Sequence, residues 1–399
     1  MTSINELPSK ILLRIFGLLD LNDLMSASRV SKKFQKAAED GTLYQQVNFN
    51  RSHRLDDIIS ILRRQRRAIV ACRMEGISDS NTILKYMAGC PNLRVLKLKQ
   101  CDGERGIKEE IFEKLFDGTD IYVFALKNCE LETFPRLKLK NMTSLSVVDN
   151  TGYQYPLSYV KELLPVIENN FKTLTSLKLC LDNISVNEKH DLFDKIRKCE
   201  NLENLQFQYP HVDEIDEKNF VKLFNLLKLV SLSVVVSEEI PEKIYNRFIE
   251  RPFVINLRKI EFGGNICYLL PSILQNCPHL EILRLTCLTG PFIRISNEEL
   301  LNMLSTNQHL KEISLKSVST NNMRHTILQL PTYLPHLKHA EIEVQGVEES
   351  NDNSTTPLKI EFNLLPNFAL ETQNFEGSTI YVLFRSQELL KFITSSQIF

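Results

Sequence analysis

The sequence lacks every short motif that would announce an active site of its own. It has no G-x-S-x-G, no phosphate loop, no G-x-G-x-x-G and no H-E-x-x-H, and no pocket with paired titratable groups is legible in it. It also lacks a Cys-x-x-Cys pair: the nine cysteines are an odd number, which leaves a disulfide framework or a zinc site poorly supported. It lacks an excess of either charge, with 48 Lys and Arg against 49 Asp and Glu, so bulk binding to nucleic acid or to an anionic membrane is not expected. No run approaches the roughly 18 apolar residues of a membrane span. The start, MTSINELP, has no basic region, and the apolar run after it is broken by Arg14 and ends at Asp20, unlike a secretory signal. Together these absences suggest a non-catalytic intracellular protein, cytoplasmic and/or nuclear, with no cofactor.

What is present begins with the stretch from Leu7 to Tyr44. Apolar residues Ile11, Leu12, Ile15, Phe16, Leu18 and Leu19 recur at helical spacing after Leu7-Pro8, where proline's fixed φ suits a first helical turn. Asp20 is placed to cap a second helix with Asp23 in its first turn, and Ser31 a third that carries Phe34, Ala37 and Ala38. Three such short helices cannot cover all their apolar faces by themselves. In order and spacing, Leu7-Pro8, Ile11-Leu12, Ile15, Leu18-Leu19-Asp20, Asp23-Leu24, Arg29-Val30-Ser31-Lys32, Phe34 and Leu43-Tyr44 resemble an F-box. The sequence departs from the family's pattern at Phe34 and Tyr44, where tryptophan is usual, and at Ser9-Lys10, where Pro-x-Glu is common. The resemblance implies docking to the Skp-type adaptor of an SCF ubiquitin ligase. The residues expected to carry it are Leu7, Pro8, Ile11, Leu12, Ile15, Leu19, Leu24, Val30 and Phe34.

The 399 residues, 43% apolar and 24% charged, suit a folded protein with room for a small module and an extended repeat domain. A pattern of apolar-x-x-apolar-x-apolar fills most of the chain. Its clearest copies begin at Leu93, Leu174, Leu202, Leu229, Leu257, Leu280, Leu310 and Leu337, with weaker ones at Ile121 and Met142 and the weakest at Tyr44 and Ile69. Each copy ends in strand-like alternation. Most are followed by helical periodicity: around Ile58 to Leu62, Ile111 to Phe116, Val160 to Ile167, His190 to Ile196, Phe220 to Leu227, Ile244 to Ile249, Leu269 to Leu274 and Leu300 to Leu304. One strand plus one helix in about 27 residues resembles a helix-containing leucine-rich repeat. Cysteines beside several copies, as in Cys90-Pro91-Asn92-Leu93, resemble the cysteine-containing subtype found in F-box proteins. There a free cysteine is most simply a small buried hydrophobe. The expected fold is an α/β solenoid: residues 1–43 an F-box, 44–345 a curved horseshoe with parallel strands concave and helices convex, and 346–399 an acidic loop and C-terminal cap. Residues 347–357 read as a mobile loop. Residues 358–362 and 380–384 read as strands, and 387–393 as an amphipathic end.

Alternate strand positions that are not buried face the concave side. They supply a candidate target-binding face of Lys97, Lys99, Lys127, Lys178, Gln206, Gln208, Arg284, Glu341 and Glu343. Its early units are basic and its last is acidic, so a target with acidic or phosphorylated residues would complement the F-box end, while a solvated strand face without function is the plain alternative. His339, Glu341 and Glu343 share one strand face, and an exposed charged strand needs no metal to be stable. Arg63, Arg64, Arg66 and Arg67 cluster at the end of a helix, where the dipole favours cations; an import signal or phosphate patch is the other reading. The whole resembles the substrate receptor of an SCF-type cullin-RING ubiquitin ligase, joined through the Skp-type adaptor to cullin and RING subunits and feeding proteasomal degradation. The competing reading is a leucine-rich-repeat interaction scaffold whose F-box-like helices only cap the solenoid. A cap would leave Leu7, Pro8 and Ile15 covered by the first repeat, whereas a dock leaves them accessible.

Overall fold

Strand and helix alternate along most of the chain, as the apolar pattern requires. The computed structural model describes residues 7–103, 106–132, 139–148, 160–180, 184–209, 226–236, 256–263, 270–286, 293–294, 297–319, 323–345, 359–365, 368–375 and 378–385. They form two compact units, Met1–Asn201 and Leu202–Phe399. Among them no helix is long and apolar enough to cross a membrane.

The first unit opens with three short helices, α1 (Ser9–Phe16), α2 (Leu21–Ser28) and α3 (Lys32–Ala38), and a 3-10 turn at Gly41–Tyr44. Their starts follow the sequence signals. Asp20 accepts the Asp23 N–H at 2.8 Å and Ser31 accepts the Phe34 N–H at 3.2 Å, filling donors that a helix start leaves unpaired. Pro8 stands just before α1 rather than inside it, its carbonyl accepting from Ile11 and Leu12.

Six parallel strands follow in sequence order: β1 (Gln46–Asn50), β2 (Ala71–Glu75), β3 (Val95–Lys99), β4 (Val123–Lys127), β5 (Ser144–Val148) and β6 (Ser176–Cys180). Helices α4 (Leu55–Gln65), α5 (Ser80–Met87), α6 (Glu109–Asp117) and α7 (Val160–Asn169) lie between strands, and α8 (Val186–Ile196) follows the last. Each strand buries alternate residues: Val47 and Phe49, Cys72 and Met74, Leu96 and Leu98, Phe124 and Leu126, Leu145 and Val147, Leu177 and Leu179. The helices add Ile58, Ile61 and Leu62, then Ile83, Leu84 and Met87, then Ile111, Phe112 and Leu115. Every such side chain contributes about 1.5–3 kcal/mol by leaving water, which is why so short a unit repeats stably. Even the weakest sequence copies, at Tyr44 and Ile69, are strands.

Successive repeats are joined by one recurrent hydrogen-bond pattern. The carbonyls of Gln45, Val70, Arg94, Tyr122 and Thr143 each accept two N–H groups from the next repeat, at 2.8–3.2 Å. The chain then leaves β2, β3 and β4 through a left-handed residue: Gly76 (φ +67°), Gln100 (φ +50°) and Asn128 (φ +52°). Each donates its N–H to the last strand residue of the following repeat, so the turn is stapled although only Gly76 adopts it without strain. Buried Asn170 ties a third point, accepting from the Met142 N–H at 2.7 Å while donating to Leu139 O and Val166 O.

In the second unit β7 (Asn204–Tyr209), β8 (Ser231–Val236), β9 (Lys259–Gly263) and β10 (Ile282–Thr286) run parallel. A two-residue β11 (Ile293–Arg294) pairs beside β12 (Glu312–Ser319), which is itself parallel to β10 and β13 (His339–Gln345). The helices here are α9 (Leu270–Asn276), α10 (Asn297–Ser305) and α11 (Met323–Tyr333). The same double acceptance recurs at the Glu203, Val230, Arg258, Glu281 and Lys311 carbonyls.

After β13 the topology reverses. Strands β14 (Lys359–Leu365), β15 (Phe368–Phe375) and β16 (Ser378–Arg385) are antiparallel and add in the order β13–β16–β15–β14, so the last parallel edge is paired rather than open. Two of these strands were expected from the sequence and β15 was not. The expected helix around Ile244, the acidic loop at 347–357 and the end at 387–393 lie outside the described residues, as does most of the expected helix from Phe220 to Leu227.

Candidate functional site

The N-terminal helices divide their apolar residues into two sets. Leu12, Leu24 and Phe34 are buried, together with Phe16, Ala37 and Ala38, and form the core of the three helices. Pro8, Ile11, Ile15 and Val30 are exposed, and Leu7 and Leu19 are half-buried. The division follows from helical geometry. Leu12 and Phe16, four residues apart, make one line along α1; Ile11 and Ile15 make the adjacent line, about 100° around the axis, which turns outward. Leu18, not among the expected binding residues, is 87% exposed in the turn after α1, and Val30 is 66% exposed after α2. Of the seven large apolar side chains exposed among the described residues, four (Ile11, Ile15, Leu18 and Val30) fall in this one segment, so the exposure is a local concentration rather than scatter.

The segment is held firmly enough to present that surface. Lys33 Nζ donates to Leu7 O at 2.8 Å, fixing the chain ahead of α1. The buried Tyr44 hydroxyl donates to Ala38 O at 2.9 Å, and burial pushes its pKa upward. Gln65 Nε2 on α4 donates to Glu39 O at 3.0 Å, and Asn22 Nδ2 to Ser52 Oγ at 3.2 Å, so the helices are tied to the first repeat while Pro8 and Ile15 stay accessible.

Residues 4–50 match the F-box-like family. The match takes in α1 to α3, the 3-10 turn and β1, ending at Asn50, the last residue of that strand. Among solved structures, a chain in the crystal structure of the mouse RP105/MD-1 complex is similar at a TM-score of 0.31 and 15% identity, over 68% of this chain and 51% of that one. The present chain thus spans about half the length of that relative.

A second candidate surface is the solvent-facing side of the strands. In the unit that contains the F-box-like segment, pairing sets Asn48, Arg73, Lys97, Ala125, Ser146 and Lys178 in one row, and Asn50, Glu75, Lys99, Lys127 and Val148 in another. Lys97 and Lys127 are exposed and Lys99 and Lys178 half-buried. Arg73 and Glu75 on β2 join this face although they are absent from the sequence-derived set. Glu75 takes a hydrogen bond from Lys99 and one from Arg73 at 2.9 Å; the Lys99 bond, with the two positive charges, holds its carboxyl below the usual range.

In the other unit Gln206 and Gln208 are half-buried on β7. Arg284 on β10 pairs with Glu312 at 3.0 Å, Lys259 with Glu261 at 3.6 Å, and Ser314 stands 3.5 Å from Glu341. Glu343 lies two residues beyond Glu341 on β13; its side chain is outside the described set. Burial lowers the pKa of His339, with Glu341 and Glu312 pulling the other way. Among the described residues no group of three or more His, Cys, Asp or Glu side chains could hold a metal ion.

The arginine cluster is partly engaged where it stands. Arg63 donates to the Tyr86 hydroxyl at 2.6 Å with its guanidinium 4.9 Å from that ring's centre, and Arg64 donates to Ser60 Oγ at 2.7 Å, both in the last turn of α4. Cys90, Cys199 and Cys277, each just ahead of a strand, are buried thiols whose pKa desolvation pushes up, to about 11 for the first and about 12 for the other two. They act as small apolar fillers.

Proposed function

We propose that the protein is the substrate-recognition subunit of an SCF-type cullin-RING ubiquitin ligase. The F-box-like helices dock a Skp-type adaptor, and through it the cullin and RING subunits, while the repeats hold a target protein for ubiquitination and proteasomal degradation. The observation that carries this reading is the accessible apolar set Pro8, Ile11, Ile15, Leu18 and Val30 within the segment that matches the family. Apolar side chains concentrated on a rigid helical module are what a partner covers, and a few central anchors supply most of such an interface's energy. A cap would place Leu7, Pro8 and Ile15 against the first repeat; Leu7 is half-buried, and the exposure of Pro8 and Ile15 favours docking over a purely capping role.

In this reading the chain performs no bond chemistry. Its contribution is proximity: holding target and conjugating enzyme in one complex converts an encounter into an effectively intramolecular step, which can lower the barrier by several kcal/mol, up to about 7–11 in well-oriented systems. Affinity purification of the full chain and of its Ile15→Asp variant from cells tests the proposal. Adaptor and cullin should accompany the first and be lost from the second while the chain stays folded.

A further inference from the structure

The strand face beside the F-box-like segment carries a charge arrangement that folding does not call for. Pairing in register puts Arg73 directly opposite Lys97 on β2 and β3, and Lys99 directly opposite Lys127 on β3 and β4. Neighbouring strands lie about 4.8 Å apart and alternate residues along a strand about 6.7 Å apart, so the four cations occupy a patch only one residue pair deep. Like charges set directly opposite one another on a sheet destabilise it. A single carboxylate, Glu75, stands among them, already shared between Lys99 and Arg73. Lys97 and Lys127 are exposed, and among the described residues no carboxylate pairs with either. No other charged residue of the two rows is acidic.

The corresponding face of the Leu202–Phe399 unit is different. There, among the described side chains, Lys259 meets Glu261, Arg284 meets Glu312 and Glu341 follows on β13, so cations and carboxylates alternate. A chain of net charge −1 therefore gathers an excess of positive charge, four cations around one carboxylate, on one strand face. Glu75 relieves only the Arg73 and Lys99 side of these two like-charge pairs, and the remaining Lys97 and Lys127 point to a compensating partner.

We infer that the Arg73, Lys97, Lys99 and Lys127 face binds an acidic segment of a target protein, an extended peptide carrying carboxylates at alternate positions. Side chains two apart on an extended peptide repeat at about 6.7 Å, the spacing of Lys97 and Lys99 along β3. Carboxylates set at that interval meet successive amines and relieve the repulsion that the sheet bears alone. This inference rests on the receptor reading, since it names the chemistry of the target that the repeats hold.

The test uses the purified full chain and a fluorescein-labelled ten-residue peptide with glutamate at every second position, followed by fluorescence anisotropy, with a glutamine-for-glutamate peptide as control. The acidic peptide should bind and weaken as salt rises, and the control should not bind. Lys97→Glu/Lys127→Glu should reduce affinity by about tenfold or more, Lys97→Gln/Lys127→Gln by less, and Lys259→Gln in the other unit should leave it unchanged. Both double variants should melt no lower than the parent protein, because they remove like-charge pairs. Equal binding of the two peptides, an affinity untouched by the double reversal, or tighter binding of a uridine decanucleotide than of the acidic peptide would overturn the inference. Adaptor co-purification is measured on the same preparations. If the adaptor binds and the peptide does not, this inference alone fails; if the peptide binds and the adaptor does not, the receptor reading fails and the acidic-segment site stands.

Discussion

The ring of Phe16 at the end of α1 meets the ring of Phe34 on α3 edge-on, with centroids 5.3 Å apart and planes at 79°. This contact joins the first and third helices of the F-box-like segment. Replacing Phe34 by alanine should cost about 3–5 kcal/mol, whereas Val30→Ala at the exposed surface should change stability by no more than about 0.5 kcal/mol. Urea unfolding of both variants checks the division between core and surface that the docking proposal depends on.

Asn170 is the buried polar link between the end of α7 and the approach to β5. Its alanine variant strands the Met142 N–H and the Leu139 carbonyl in an apolar interior. An unsatisfied buried group costs about 1–3 kcal/mol, so Asn170→Ala should lower stability by at least that much. Hydrogen exchange should show the loss first at the Met142 amide.

The repeat itself was the most legible part of the chain because each strand buries two or three apolar residues at a fixed offset. Even YQQVNF and IVACRM, the weakest copies, emerge as β1 and β2. The omissions have physical causes. Helix α5 holds only eight residues and its preceding Asp79 makes no capping bond, so Ile83, Leu84 and Met87 gave too short a signal. Strand β15, FALETQNF, belongs to an antiparallel add-on with no repeat to betray it, and the apolar alternation begun by Phe368 and Leu370 lapses at Thr372 and Asn374. Arg73 and Glu75 went uncounted because the weak match at Ile69 left the inward positions of β2 unassigned.

The candidate docking surface was legible in its residue types but not in their orientation. Ile11 and Leu12, or Ile15 and Phe16, are sequence neighbours that any helical count includes together. Only the packing of α1 against α3 decides which of each pair turns inward, sending Leu12, Leu24 and Phe34 to the core and leaving Leu18 exposed. The Skp-type adaptor is carried by the family resemblance alone.

In the other unit, Leu283 and Leu315 are fully buried on β10 and β12, their strands paired in register. Truncation of either to alanine should cost about 2–5 kcal/mol. A calorimetric loss below about 0.5 kcal/mol at both sites would mean that the strand faces are assigned the wrong way round.

Glu75 makes the charged face pH-dependent in a definite direction. Its carboxyl titrates below the ordinary 4.5, chiefly because Lys99 hydrogen-bonds the ionised form. A depressed carboxylate gives its stabilisation in full above its unfolded pKa and loses it as pH falls through the folded value, so the window lies below about pH 4.5. Glu75→Gln should therefore melt below the parent protein at pH 7, by no more than an exposed pair supplies, about 1 kcal/mol or less. The difference should shrink as the pH is lowered through that window; a gap that stays constant into acid would show that the carboxylate charge is not the cause.

In the proposed function the exposed apolar side chains of the N-terminal helices hold the adaptor. Calorimetric titration of a purified Skp-type adaptor into the full chain and into its Ile15→Asp variant measures this directly. Saturable one-to-one binding to the parent protein is expected, with affinity lost by at least about a hundredfold in a variant whose melting is unchanged, the behaviour of a central interface anchor. Binding of equal strength to both proteins, or to neither, would contradict the account.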